Sequence, residues 1–383
     1  MKKILFATLI AFSMPSMADY KITFSASNLQ LPEEVAASVS KMSCGYYHCY
    51  ALIDDVVWSI GYNAYGQLGR EGTEDQSIWA PTNISSVSDI VAGAYHGYAL
   101  KNDGTVWAVG YNNFGQLGIS GKTEQLTWEQ TSLTNISTIA SGFYHGYAIK
   151  NDGTVWSSGL NNYGQLGRDG TTNQFSWEES GISGVSKILG TVNSGYAIKN
   201  DGTVWSLGRN EYGQLGRSGT SNQSNWGEIN LTAISDIAAG DGHFYVLKNN
   251  GDVWSIGRNN FGQLGREGAS NQSTWGFANI SDVSKIFSGR YHGYALKNDG
   301  TVWSVGYNNK GQLGREGITN QTSFGKSGLE GVSQVFPGYY TSYALKDNSS
   351  IWSIGDNYFG QLGTGDTNSR SEWTELVEPF KEP

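Results

Sequence analysis

Asn102-Asp103-Gly104-Thr105-Val106-Trp107 and, eight residues after that tryptophan, Gly115-Gln116-Leu117-Gly118 decide the fold, because tryptophan and tetrapeptide return together every 49 residues. Gly-Gln-Leu-Gly starts at Gly66, Gly115, Gly164, Gly213, Gly262, Gly311 and Gly360, each time preceded by a tryptophan, from Trp58 to Trp352. A second aromatic keeps the same interval at Trp79, Trp128, Trp177, Trp226, Trp275, Phe324 and Trp373. Seven copies without an insertion mean one supersecondary unit stacked on itself.

One copy, from Val87 to Ile136, divides into four short apolar segments: Ile90 to Gly93, Tyr98 to Leu100, Val106 to Val109, and the region around Trp128. Asn102-Asp103-Gly104 joins the second to the third and recurs at Asn151, Asn200 and Asn298, a hairpin signal that suits a type I′ turn. In the first copy Asp54-Asp55 is one residue shorter, and in the last Asp347-Asn348-Ser349-Ser350 lacks the glycine. Fifty-two glycines with abundant Trp, Tyr, Val and Ile leave little room for long helices.

Four strands per copy fit a propeller blade, and seven blades around an axis bury both faces of every sheet. The expectation is an all-β, seven-bladed ring with its first and last repeats in contact. The recurrent tryptophans should fill the space between blades, and the Gly-Gln-Leu-Gly glycines should permit a tight return with Leu68 and its equivalents beneath.

Before the array, Lys2 and Lys3 precede an apolar run from Ile4 to Phe12, and Ser16-Met17-Ala18 offers small residues at a cleavage point. Residues 1–18 are expected to be a signal peptide cleaved after Ala18, and the protein to be exported, periplasmic or secreted. Residues 19–38 are expected to cap the ring or pair with it, 39–377 to form the propeller, and 378–383 to be a tail. No later run of about 20 apolar residues exists, so no membrane span is expected. Removing Lys2 and Lys3 with the leader takes the formal net charge from −9 to −11, a surface that repels phosphate backbones and argues against nucleic acid. Cys44 and Cys49 flank a hairpin connection, where an oxidising compartment would let them pair; as an alternative, they are two small residues filling strand positions.

Gly-Tyr-Ala-Leu-Lys-Asn-Asp-Gly-Thr-Val-Trp followed by Gly-Tyr-Asn-Asn-Phe-Gly-Gln-Leu-Gly, within Ala94 to Gly118, resembles the repeat of the regulator of chromosome condensation 1 family. The resemblance covers roughly residues 39 to 377 and implies a seven-bladed propeller. It also implies two directions for function. The eukaryotic namesake is a nuclear guanine-nucleotide exchange factor that acts through an inserted wedge and a basic tail, neither visible in this sequence. A secreted bacterial propeller of the same superfamily inhibits β-lactamases by covering them with loop aromatics.

Strand parity puts two loops of each copy on one face: the turn after the first strand and the return after the third. In the first set lie Tyr47, Tyr95, Tyr144, Asn193, Tyr291 and Tyr340, with Arg290 beside Tyr291. In the second lie Tyr62, Tyr111, Arg209, Arg258 and Tyr307. These positions vary between copies of an otherwise faithful array, and Tyr and Arg dominate interface hot spots. The aromatics would offer contact area and the three arginines positive charge.

His48, His96, His145, His243 and His292 occupy one equivalent position, a blade apart, too far to share a metal with bonds of about 2 Å. A hydrogen bond within each blade is expected instead, with no metal and no cofactor. No Ser-His-Asp set, P-loop or singular acid pair breaks the seven-fold pattern, so no catalytic residue is expected. The reading is a monomeric, non-enzymatic binding propeller with a protein partner. A glycan-binding propeller and an exported exchange factor for a host small GTPase are the alternatives.

Overall fold

In a computed structural model that describes residues 39–377 and 379–380, twenty-eight strands form seven four-stranded antiparallel sheets, each built from consecutive strands. Blade 1 runs from Val39 to Pro81, blade 2 from Val87 to Gln130 and blade 3 from Ile136 to Glu179. Blade 4 spans Val185 to Ile229, blade 5 Ile234 to Phe277, blade 6 Val283 to Glu330 and blade 7 Val332 to Glu375. The expected leader, the 19–38 segment and most of the tail lie outside the described residues. In blade 2 the strands are Val87–Ala92, His96–Lys101, Val106–Tyr111 and Glu124–Gln130, which match the four apolar segments. No helix among the described residues is long and apolar enough to cross a membrane.

Contacts within and between blades explain the repeated letters. The second-strand tyrosine, Tyr98 in blade 2, is fully buried, and its hydroxyl donates to the carbonyl of Gln116 in the Gly-Gln-Leu-Gly return. Tyr196 and Tyr343 do the same to Gln214 at 2.9 Å and Gln361 at 2.7 Å. Within the return, Asn112 Oδ1 accepts the Leu117 amide at 2.9 Å and Gln116 Oε1 the Phe114 amide at 3.0 Å, so two of the loop's backbone amides are satisfied by its own side chains, while Gln116 Nε2 is buried without a partner among the described residues. Leu117 is fully buried beneath it, as are its equivalents from Leu68 to Leu362.

The fourth-strand aromatic of each blade lies on the previous blade's return. A Cβ added to Gly69 would sit 2.3 Å from Trp128 Nε1, and φ there is +64°, so glycine is required twice over. The same packing closes the ring: Gly363 of blade 7 lies against Trp79 of blade 1. Met42, Cys49 and Trp79 share a core cluster with Phe336, Tyr343 and Leu376 of the last blade. Phe380, in the tail, adds its ring to Trp58 at 5.6 Å and Trp79 at 5.3 Å. Closure therefore comes from side-chain packing, since every sheet is made of its own four consecutive strands.

The two tryptophan sets differ. Trp79, Trp128, Trp177 and Phe324 of the fourth strands are buried and Trp226, Trp275 and Trp373 half-buried, whereas in the third strands only Trp58 is buried and the other six are half-buried. A lysine covers these: Lys150 Nζ stands 3.7 Å above the Trp156 ring. The third-strand set is thus a rim seal more than a filler, because its ring lies near the sheet's outer end where solvent reaches one face.

The hairpin expectation needs a correction of type. In Asn102-Asp103-Gly104 only Gly104 has positive φ, +79°, and its amide donates to Lys101 O at 2.9 Å. This is a three-residue loop with a left-handed closing residue, not a type I′ turn. The type I′ pattern occurs in the shorter first copy, where Asp54 and Asp55 have φ of 47° and 64°. In blade 7 Ser349, at 66°, takes the glycine's place.

Candidate protein-interaction face

Backbone bonds bring the two variable loop sets together in every blade. The amide that opens the second set donates to the carbonyl of the first: Tyr62 to Tyr47, Tyr111 to Tyr95 and Tyr307 to Tyr291, each at 2.9 Å. Leu160 to Tyr144, Arg209 to Asn193, Arg258 to Gly242 and Asp356 to Tyr340 complete the seven, at 2.7 to 2.9 Å. Neighbouring blades are tied in the same plane, with Tyr46 N bonded to Ala94 O at 3.2 Å, Ala94 N to Phe143 O at 3.0 Å and Phe143 N to Thr191 O at 2.9 Å. Strand parity thus reads correctly: both sets share one face around the axis.

On blades 7, 1, 2 and 3 this face is a continuous aromatic band. Tyr47 and Tyr62 pack on Phe359 at 4.8 and 4.7 Å, Tyr65 on Tyr111 at 4.8 Å, and Phe114 on Tyr144 at 4.9 Å. Tyr95 touches Tyr62, Tyr65, Tyr111 and Tyr144. Toward the axis, Tyr46, Phe143 and Tyr339 meet over the mouth of a central cavity of about 130 Å³, with Tyr46 5.8 Å from Phe143 and 5.1 Å from Tyr339. Burial pushes the Tyr144 phenol up to about 12, with nearby Tyr111 adding to the shift; Tyr47 and Tyr95 go higher, mainly through burial. The phenols remain neutral, half-buried, and able to donate or accept hydrogen bonds.

Blades 4 to 6 carry the arginines, and here a correction is required. Read from sequence, Arg209, Arg258 and Arg290 supply free positive charge; in the structure each is matched by a carboxylate. Arg209 pairs with Glu211 at 2.5 Å, while Arg290 and Arg258 share the buried Asp241 at 3.2 and 3.8 Å. Burial is the largest single influence and opposes the charge on Arg290, but Asp241 together with Tyr291, Tyr339 and Tyr340 outweighs it and raises the pKa. The Arg290 guanidinium also lies over Tyr291 at 4.6 Å, Tyr339 at 5.4 Å and Tyr46 at 5.5 Å, which joins the two halves of the face. Tyr291 and Tyr307 pack on Phe261 at 5.2 and 5.0 Å, and Tyr307 reaches Tyr340 at 5.8 Å. Asn193 is half-buried on the same face, its carbonyl accepting the Arg209 amide at 2.9 Å.

Three of the five histidines bond between blades, not within them, while the ring nitrogens of His48 and His145 are buried with no hydrogen-bond partner among the described residues. His96 Nε2 meets Ser141 Oγ of blade 3 at 3.1 Å, His243 meets Ser288 of blade 6 at 2.9 Å, and His292 meets Ser342 of blade 7 at 3.3 Å. The imidazole projects from its sheet into the wedge between blades, so its reachable partners belong to the neighbour. Desolvation lowers all five to about 3, which keeps them neutral. Among the described residues no group of three His, Cys, Asp or Glu stands close enough to hold a metal ion. Cys44 and Cys49 are cross-strand partners, with Cα atoms 4.1 Å apart and a sulfur–sulfur bond of 2.11 Å.

Strand parity puts Tyr46, Phe143, Asp241 and Tyr339 in the first loop set and Phe114 in the second without singling them out as site residues, and sequence reasoning passed over the flanking Tyr65, Phe261 and Phe359. The signal for Asp241 was present: it is a lone acid at a position where three other copies carry Tyr or Phe and one carries Arg290.

Two models described as the regulator of chromosome condensation (RCC1) repeat match this chain. One covers residues 87–116, 136–165, 234–263 and 283–312, the other 54–100, 201–247 and 250–296, together more than half of the chain. A similar relative is the X-linked retinitis pigmentosa GTPase regulator homolog of Caenorhabditis elegans, 26% identical over 87 residues, a stretch that is 21% of this chain and only 6% of that protein. Among solved structures, Prp20p of Saccharomyces cerevisiae is similar at a TM-score of 0.72 and 23% identity, covering 81% of this chain and 83% of that one. Human WBSCR16 is similar at 0.72 and 21% identity, covering 82% and 88%. With seven sheets in register and the repeat models matched along the array, the chain belongs to the regulator of chromosome condensation repeat family.

Proposed function

We propose that this propeller is an exported, non-enzymatic binding module that captures a protein on the face carrying Tyr47, Tyr62, Tyr95, Tyr111, Tyr144, Tyr291, Tyr307 and Tyr340. The observation that carries the reading is the continuous aromatic band, built at positions that diverge while the rest of each copy repeats. Such a band gives rigid amphipathic contact area at low entropy cost. Support also comes from similar propellers: Prp20p is described with binding to Gsp1p and histones, and yeast RCC1 is seen bound to Kap60. Fold alone does not carry a partner across, so the partner's identity is left to experiment.

The test is parallel capture from the protein's natural surroundings by the wild-type propeller and by a Tyr95→Ala, Tyr144→Ala, Tyr291→Ala variant. A specific partner should bind the variant more weakly by about 2 kcal/mol or more, because truncated hot spots cost that much. Equal capture of every partner by both proteins would remove this face as the site.

A further inference from the structure

We propose that the Cys44–Cys49 disulfide is a redox-sensitive clasp on the aromatic face, whose reduction frees the Tyr46-Tyr47 turn and takes apart the ring cluster around it while the propeller stays folded. As a control on partner capture it rests on the function proposed above; as a local structural switch it does not.

Seven turns join first to second strands, and this one alone is stapled. Where blade 1 has Cys44 and Cys49, blade 2 has Ala92 and Gly97, and blade 7 has Pro337 and Ser342. Stapled or not, these turns close by the same backbone bond: Gly45 N to His48 O in the stapled turn, and Gly93 N to His96 O and Gly142 N to His145 O in unstapled ones, are each 2.8 Å. The hairpin therefore forms without the disulfide.

What sets the first turn apart is what it carries. Tyr46 meets Tyr95 of blade 2, Phe143 of blade 3 and Tyr339 and Tyr340 of blade 7, and lies beneath Arg290 of blade 6. Only four residues of chain lie between the two cysteines, so the bond holds a short loop at the point where four blades' rings converge. Access is uneven. Cys44 is half-buried and lines the central cavity, whereas Cys49 is fully buried in the cluster with Met42 and Tyr343.

A small dithiol entering from the cavity attacks Cys44 Sγ as its thiolate. The S–S bond breaks, a mixed disulfide forms on Cys44, and Cys49 leaves as a thiolate that takes up a proton. The reagent's second thiolate then displaces Cys44, yielding two protein thiols and one oxidised dithiol, a two-electron exchange. Reduced, the Tyr46-Tyr47 turn keeps its hairpin bond, the 3.2 Å bond from Tyr46 N to Ala94 O and the 2.9 Å bond from Tyr62 N to Tyr47 O.

Amide hydrogen exchange on the whole chain tests this in three states: oxidised, reduced with dithiothreitol, and as a Cys44→Ala, Cys49→Gly variant that copies blade 2. Exchange over residues 45–48 and at Ala94 and Phe143 should speed up about tenfold on reduction, with the turn at residues 102–104 unchanged. The variant should exchange at the fast rate without reductant. Unchanged rates at these amides, acceleration in all blades alike, or two free thiols in the untreated protein would each overturn the clasp. If the clasp opens as described but the triple tyrosine variant captures partners as wild type does, the binding reading fails and the clasp stands.

Discussion

The two faces of the ring share one seven-fold template and differ in how far the copies keep to it. On the face away from the aromatic band, the Asn-Asp-Gly turn repeats with its side-chain bonds intact in four of the seven blades, 2, 3, 4 and 6. Asp103 Oδ1 accepts from Thr105 N at 2.9 Å and Thr105 Oγ1 at 2.6 Å, and Asp152, Asp201 and Asp299 repeat this within 0.1 Å. On the aromatic face, the equivalent loop positions hold Tyr, Asn, Arg, Leu or Asp from blade to blade. Local geometry governs the first face: each turn must be made, and the same residues make it best. Nothing in blade geometry requires Tyr111 in one copy and Arg209 in another. On the function proposed above, divergence there, on a scaffold that otherwise repeats closely, is what a surface fitted to an asymmetric partner would show.

The comparison between scaffold and face can be broken by stability. Trp177 is 3% exposed, lies on Gly118 of the previous blade, and donates from Nε1 to Leu117 O at 3.2 Å. Trp177→Ala should cost about 4 kcal/mol in chemical denaturation, from lost burial and the cavity left between blades. Tyr111→Ala, at a half-buried ring on the face, should cost about 1 kcal/mol. Equal losses would mean that the face is part of the scaffold.

Acid sharpens the same contrast. Each buried histidine has its folded-state pKa lowered from 6.5 to about 3, so between those values the unfolded chain binds more protons. Stability from these groups is complete above about pH 6.5 and is lost as pH falls toward 3, by up to about 1.4 kcal/mol per histidine and pH unit. Blade 4 uses Ser194 at this position. His96→Ser should therefore reduce the pH 5.5 penalty by one proton's share, seen as a shallower decline of melting temperature between pH 7 and 5.5. An unchanged decline would mean that His96 is not held neutral between the blades.

Much of the fold was legible because periodicity is a one-dimensional signal: the 49-residue interval, the four apolar segments and the parity of loops all lie within a single copy. What escaped lies between copies. The partner of His96 sits 45 residues away on the next blade, and Arg290 finds Asp241 at a separation of 49. No pattern within one repeat shows which way an imidazole leans or which arginine meets an acid across a wedge. The hairpin type was missed for a different reason: Asp-Gly suits two loop lengths, and the preceding Asn decides between them by becoming part of the turn. On the face, the outer tyrosines could be placed from parity, but Tyr46, Phe143 and Tyr339 meet only because a closed ring brings blades 1, 3 and 7 to one axis.

The most direct measurement of partner contact is site-specific photocrosslinking of the captured protein, with the reactive side chain placed at Tyr111 on the aromatic face or at Asp103 on the opposite one. Both positions can take it without entering the core, since Tyr111 is half-buried and Asp103 exposed. An adduct with the partner from position 111 and none from position 103 is the expected result. Adducts from 103, or equal yields from both, would contradict the assignment of this face as the binding surface.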